Sequence, residues 1–188
     1  MYAWELPSAL DVGGSFFYIR TDYRVVLRIL KYNADPDYES DEKAIITLKL
    51  LFIDWESIPE SLYQEAIAAA CAFIDMGAGG DSKSGDSHRL MDWEQDASMI
   101  ISAVNKVLGY DIRRPESLHW WTFLSAYFEI GDSLYSTVLH LRKKRIKNEP
   151  LEKHERRFIN ENPELFALKS QYSENDKMLL AEWGVPVE

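Results

Sequence analysis

Residues 90–108 constrain this chain most strongly. They read Leu-Met-Asp-Trp-Glu-Gln-Asp-Ala-Ser-Met-Ile-Ile-Ser-Ala-Val-Asn-Lys-Val-Leu. Counting from Trp93, apolar side chains recur at Ala97, Ile100, Ile101, Val104, Val107 and Leu108, at offsets of 4, 7, 8, 11, 14 and 15. A helix gathers those positions into one stripe, whereas the two-residue period of a strand would scatter them over both faces. The spacing predicts a helix over Leu90–Leu108, closed by Gly109. Such a stripe needs apolar partners, and the rest of the chain offers more helices.

At the N-terminal end, Ala9–Val12, Gly13-Gly14 and Ser15–Ile19 read as a β-hairpin, because paired glycines permit the positive φ angles of a two-residue turn. Thr21-Asp22 signals the first helix, with the threonine hydroxyl as cap, followed by Val25, Val26, Ile29 and Leu30 at helical spacing. Ser40-Asp-Glu opens the second. Ser57-Ile-Pro-Glu60 has the form of a capping box for a third, which runs to about Met76. Pro115-Glu116 begins the fifth, Ser133 the sixth, and Pro150 and Pro163 bracket a short seventh. The fold class expected is mainly α: a helical bundle of six or seven helices with a short N-terminal hairpin. Residues 77–89, rich in glycine, serine and aspartate, read as a flexible linker between an N-terminal part (1–76) and a C-terminal helical part (90–170), with a polar tail over 171–188.

With 188 residues the chain can bury a substantial core as one domain overall. Six tryptophans and ten tyrosines argue against extensive disorder. The single cysteine, Cys71, sits in Ala-Ala-Ala-Cys-Ala-Phe and reads as a small buried hydrophobe; one thiol makes no intramolecular disulfide. No signal-like start or membrane-length apolar run is present, which suits a cytoplasm. The net charge of −10 disfavours nucleic acid and anionic lipid. It is unevenly placed. From His140 to Arg157 there are eight Lys/Arg against three Glu, a net +5 that leaves −15 for the remainder.

Four groups carry the candidate chemistry. In Ser117–Phe128, the side chains of Trp120, Trp121, Phe123, Leu124, Tyr127 and Phe128 fall within an arc of roughly 160°, while Thr122, Ser125, Ala126 and Glu129 fall opposite. This is foremost a core face, and secondarily a partner surface, since Trp and Tyr dominate interface hot spots. His119 at its border is a proton-transfer candidate without a framed nucleophile, and its structural reading is favoured. Asp92 and Asp96 share a face and could hold Mg²⁺, but acids also belong in a first helical turn; no metal or cofactor is expected. The basic run Arg142, Lys143, Lys144, Arg145 and Lys147 reads as a solvated face, or as a docking surface for an acidic partner. No phosphate-binding loop, CxxC, HExxH or GxSxG occurs, so no enzyme activity is expected.

The stretches "GGSFFYIRTDYRVVLRI", "SDEKAIITLKLLF", "RLMDWEQDASMIISAVNKVLGYDI" and "SLHWWTFLSAYFEI" resemble, in that order, a family from long-tailed bacteriophages and prophages of Gram-positive hosts, the phage "gene product fifteen" type. Its motifs correspond to Ile19-Arg20-Thr21-Asp22-Tyr23-Arg24, Trp93-Glu94-Gln95-Asp96-Ala97 and Leu118-His119-Trp120-Trp121-Thr122-Phe123, with Arg20 in place of the usual Asn and Trp93 in place of Phe. The resemblance covers roughly residues 2–145. In such phages the gene lies just before that for the tape-measure protein. The resemblance therefore implies a siphophage tail-assembly chaperone that binds the tape measure, with a second tail chaperone and self-association as further partnerships, and that is absent from the mature virion. The contact would be helix-in-groove, around Trp93, Trp120, Trp121, Tyr127 and Phe128. A structural virion component, such as a tail or head–tail connector, is the alternative, and a nucleic-acid-binding regulator a more distant one.

Overall fold

The computed structural model describes residues 5–76 and 89–169. Of the linker expected over 77–89, residues 77–88 lie outside the described residues, as does the tail from 171. The fold is mainly helical: a hairpin, β1 (Ala9–Val12) and β2 (Ser15–Tyr18), precedes α1 (Tyr23–Ala34), α2 (Ser40–Leu51), α3 (Tyr63–Ile74), α4 (Ala97–Leu108), α5 (Trp120–Phe128), α6 (Leu134–Ile146) and α7 (Lys153–Glu161). Among the described residues there are two compact units, and they do not follow chain order. The first combines 5–76 with 117–124; the second combines 89–116 with 125–169. Helix α5 thus gives residues 120–124 to the first and 125–128 to the second.

In the first unit the hairpin turns where the glycines allow it. Gly13 and Gly14 have φ of +60° and +80°, and the Asp11 carboxylate accepts the Gly14 N–H at 3.0 Å. The register pairs Val12 with Ser15 and Leu10 with Phe17. Leu10 and Val12 are buried on one face, while Asp11, Phe16 and Tyr18 stand exposed on the other. Beyond β2 the chain bridges to the end of α2: Arg20 N–H donates to Leu51 O at 2.7 Å, and Ile53 N–H to Tyr18 O at 3.0 Å. Val26, Ile29, Leu48, Leu51, Phe52, Ala66, Ala70 and Phe73 bring α1, α2 and α3 into this unit's buried set.

In this unit the α1 cap and the α3 start differ from the sequence expectation. Asp22, not Thr21, caps α1, its carboxylate taking the Arg24 N–H at 2.9 Å. Helix α2 opens at Ser40 as expected, with Glu39 and Glu42 capping it in reciprocal bonds. The expected third helix does not begin at Ser57: Pro59 is extended (ψ 140°), so short 3₁₀ turns over Trp55–Ser57 and Glu60–Leu62 lead into α3, and the Ser57 hydroxyl donates to Asp54 O at 2.6 Å.

In the second unit α4 packs with α6. Gly109 ends α4 with φ of +78° and donates to Asn105 O at 2.8 Å, as the sequence predicts. The start of α4 was expected at Leu90, but residues 93–96 form turns and the helix begins at Ala97. Ser133 and Ser136 cap α6 reciprocally, and Glu152 and Glu155 do the same for α7.

Replacing either turn glycine with alanine forces an L side chain into a positive-φ conformation, at about 1–2 kcal/mol. At Gly13 the new Cβ would also lie 2.9 Å from Leu62 Cδ1, whereas at Gly14 the space is open. Gly13→Ala is expected to destabilise more than Gly14→Ala, read as the difference in urea midpoint between the two variants.

Candidate functional site

The first candidate group proves to be the place where two helices start against each other. Leading amides of a helix lack intrahelical partners. Here Tyr23 N–H at the head of α1 donates to Leu118 O at 2.9 Å, and Trp120 N–H at the head of α5 donates to Thr21 O at 2.7 Å. The Asp22 carboxylate, already holding Arg24 N–H, also accepts Leu118 N–H at 3.0 Å. His119 completes the clasp. Its Nδ1 accepts Trp121 N–H at 3.0 Å, so the proton lies on Nε2, which donates to Pro7 O at 3.0 Å. Both ring nitrogens are thus held by backbone, which is a capping role and leaves neither for proton transfer in this arrangement.

The tandem tryptophans dock on the end of α3. Trp120 Nε1–H donates to Ile74 O at 2.8 Å and Trp121 Nε1–H to Phe73 O at 2.9 Å, at the C-terminus of α3 where carbonyls run beyond the helical ladder; Phe73 O also takes Met76 N–H at 3.1 Å. Trp120 is 1% exposed, which corrects its assignment to a partner surface: it belongs to the core. Trp121 is half-buried and stacks near Phe73, with ring centres 6.0 Å apart. Phe123 stacks on Tyr23 at 4.8 Å and on Trp120 at 5.6 Å.

In the second unit, half-buried Trp93 lies 5.1 Å from the Tyr127 ring. The hydroxyls of Tyr127 and Tyr135 are 2.6 Å apart, with Met91 Sδ 3.6 Å from the first. Burial pushes both phenols above their ordinary values. Phe128, placed on the buried arc by sequence, is instead 68% exposed, while Ala126 from the opposite arc is buried. The helix is covered around more of its circumference than one arc, and Phe128 falls outside the cover.

Arg142 is a further correction. It was read as part of an exposed basic run, yet it is 4% exposed and pairs with Asp96, which is 1% exposed. All five guanidinium N–H groups are used: Nη1 on Asp96 Oδ2 (2.7 Å) and Leu90 O (3.0 Å), Nη2 on Asp96 Oδ1 (2.9 Å) and Leu165 O, and Nε on Leu165 O (3.0 Å). Asp96 Oδ2 also takes Asp92 N–H at 3.0 Å. Asp92 is occupied with Glu94 and Gln95 N–H and with Arg89. The Asp92/Asp96 carboxylates are therefore spent on the fold rather than poised for a cation. Among the described residues, no group of three or more His, Cys, Asp or Glu is arranged to hold a metal.

The remaining cations of the run divide. Lys143, Arg145 and Lys147 are exposed, whereas Lys144 bonds both oxygens of Glu155 at 2.8 and 2.7 Å. That ammonium, then the Glu152 N–H, lowers the Glu155 carboxyl below its ordinary value of 4.5. Cys71 is exposed, not buried as its alanine-rich setting suggested, and partial burial beside Asp75 raises its thiol.

Sequence reasoning missed two features. Arg20 closes α2, its guanidinium donating to the carbonyls of Lys49, Leu50, Phe52 and Ile53, with Phe52 O nearest at 2.6 Å. Phe16 and Tyr18, 73% and 68% exposed, stand on the outer face of β2, with Ile53 bonded beside Tyr18. The i, i+2 spacing in Ser-Phe-Phe-Tyr was available as a signal, but which aromatics face outward depended on the partner of the inner face.

These elements define a mainly helical protein whose most distinctive motifs are clasps between helix ends. The chain belongs to the bacteriophage Gp15 protein family, whose pattern matches residues 4–168. The match extends past residue 145, through α7 and the turn at Pro163–Leu165. No curated protein and no solved structure matches the chain. Among the described residues no helix is long and apolar enough to cross a membrane.

Two stability measurements follow. Asp96→Ala strands a buried guanidinium and is expected to cost about 3–5 kcal/mol in urea unfolding, well beyond Asp92→Ala. Glu155 has a depressed folded pKa, so its contribution is present above about pH 4.5 and is lost as pH falls through the folded value. The stability gap between wild type and Glu155→Gln should be constant near neutrality and shrink in acid.

Proposed function

We propose that this phage protein is a non-enzymatic tail-assembly chaperone or accessory that binds the tape-measure protein in the host cytoplasm and leaves before the virion matures. Membership of the bacteriophage Gp15 family supports a phage role. The observation that carries the binding mode is the outer face of the hairpin. Phe16 and Tyr18 keep about seven-tenths of their surface in solvent on an acidic protein, with Ile53 alongside. Clustered exposed aromatics are the surface an amphipathic client helix would cover. Phe128, the one sequence-predicted contact that is exposed, offers a second foothold. Many weak apolar contacts suit a client that must be released.

Co-expression with the tape-measure protein tests this. A soluble complex on size exclusion is expected, and Phe16→Ser combined with Tyr18→Ser should reduce its yield severalfold while the thermal melt stays cooperative. An insoluble client and no co-eluting complex would sink the reading. Finding the protein in purified particles by mass spectrometry would favour a virion component instead.

A further inference from the structure

Helix α7 has no fully buried residue, and its outer side borders a groove of about 660 Å³ lined by Leu151, Lys153, Arg156, Arg157, Asn160 and Glu161. Three cations face one carboxylate there. Glu161 is matched by Arg157 at 2.7 Å, and Arg156 spends only Nε locally, on Leu151 O. Among the described residues no ion pair involves Lys153 or Arg156. The groove therefore presents net positive charge over the aliphatic Leu151.

The same chain carries the complement. The turn from α1 to α2, Asp35-Pro-Asp-Tyr-Glu-Ser-Asp-Glu42, holds five carboxylates and no Lys or Arg. Asp37, Glu39, Asp41 and Glu42 are exposed, and among the described residues no ion pair involves Asp35, Glu39, Asp41 or Glu42. The turn is preshaped: Asp35 accepts Asp37 N–H at 3.0 Å, Glu42 accepts Glu39 N–H at 2.9 Å, and half-buried Tyr38 packs edge-on to Tyr32 at 5.5 Å. Carboxylates around one aromatic ring suit arginines and a lysine around an apolar floor, through charge-assisted bonds and cation–π contact.

We infer that the α7 groove binds the acidic α1–α2 turn of a second copy of this chain. Nucleic acid fits the groove less well, because polyphosphate would be repelled by a chain of net charge −10. The contact joins two different surfaces, so it is head-to-tail and can add further copies by closing a ring or extending a row. Being a contact of exposed charges, it is weak and salt-sensitive. It stands independently of tape-measure binding.

Sedimentation velocity of the full chain tests it. Expected is a weight-average mass that climbs above 21.8 kDa with concentration in about 30 mM salt, and an association at least about tenfold weaker in about 300 mM salt. Lys153→Glu/Arg156→Glu/Arg157→Glu, and separately Asp37→Lys/Asp41→Lys, should each remain monomeric. An equimolar mixture of the two should associate again, because the unaltered groove of the turn variant then meets the unaltered turn of the groove variant. Recovery on mixing also shows that each variant is folded. A monomeric wild type at low salt, association indifferent to salt, or no recovery on mixing would overturn the inference. So would a gel shift of duplex DNA that depends on the groove while self-association is absent.

Discussion

The first unit depends on two helices beginning at the same place. A helix start exposes amides with no partner in the helix, and burying them unmatched costs on the order of 1–3 kcal/mol each. Around Asp22 and His119 the chain solves this twice at once: each helix head takes a carbonyl from the segment before the other, while one carboxylate and one imidazole take the next amides. This fixes residues 117–124 against residues 21–24. Only then can Phe123 stack on Tyr23, and the two indoles reach the carbonyls at the end of α3.

Arg142 does the corresponding work in the second unit. It gathers the segment at Leu90, the start of α4 and the turn ending at Leu165 around one guanidinium, with no N–H left over. Gln95 adds a parallel tie, its amide meeting Ala167 O and Lys169 N–H. The stretches Thr21–Arg24, Trp93–Ala97 and Leu118–Trp121 are therefore parts that join distant segments. They specify an architecture.

The sequence made the periodic elements legible and hid the cross-links. Gly13-Gly14 determines its turn locally, and the apolar stripe of α4 follows from helical period alone. Asp92, Glu94 and Asp96 looked like the acidic first turn of that helix, because an acid at a helix start and an acid aimed at a buried arginine have the same spelling. Arg142 sat between Leu141 and three further cations, and nothing local distinguishes the one that points inward. Phe128 and Ala126 exchanged faces for a related reason: periodicity orders side chains around an axis but does not say how wide the neighbouring cover is. At Trp120-Trp121 the apolar arc was readable, whereas the α3 carbonyls that receive the indoles were not.

The clasp at Asp22 spans 96 positions of sequence, and the bond from His119 to Pro7 spans 112. A ribosome delivers the chain in order, so the hairpin and α1 to α3 emerge well before the segment that completes their core. Until then the α1 head and the Ile74 carbonyl lack the partners that the late segment brings, and Tyr23 lacks its stacking ring. Closing so long a loop adds an entropic cost that grows only slowly with its length but must be met before the contacts form. Vectorial synthesis thus leaves the earliest-made part of the protein waiting for a late-made one. Its native state is sealed from the middle of the chain, not from its beginning.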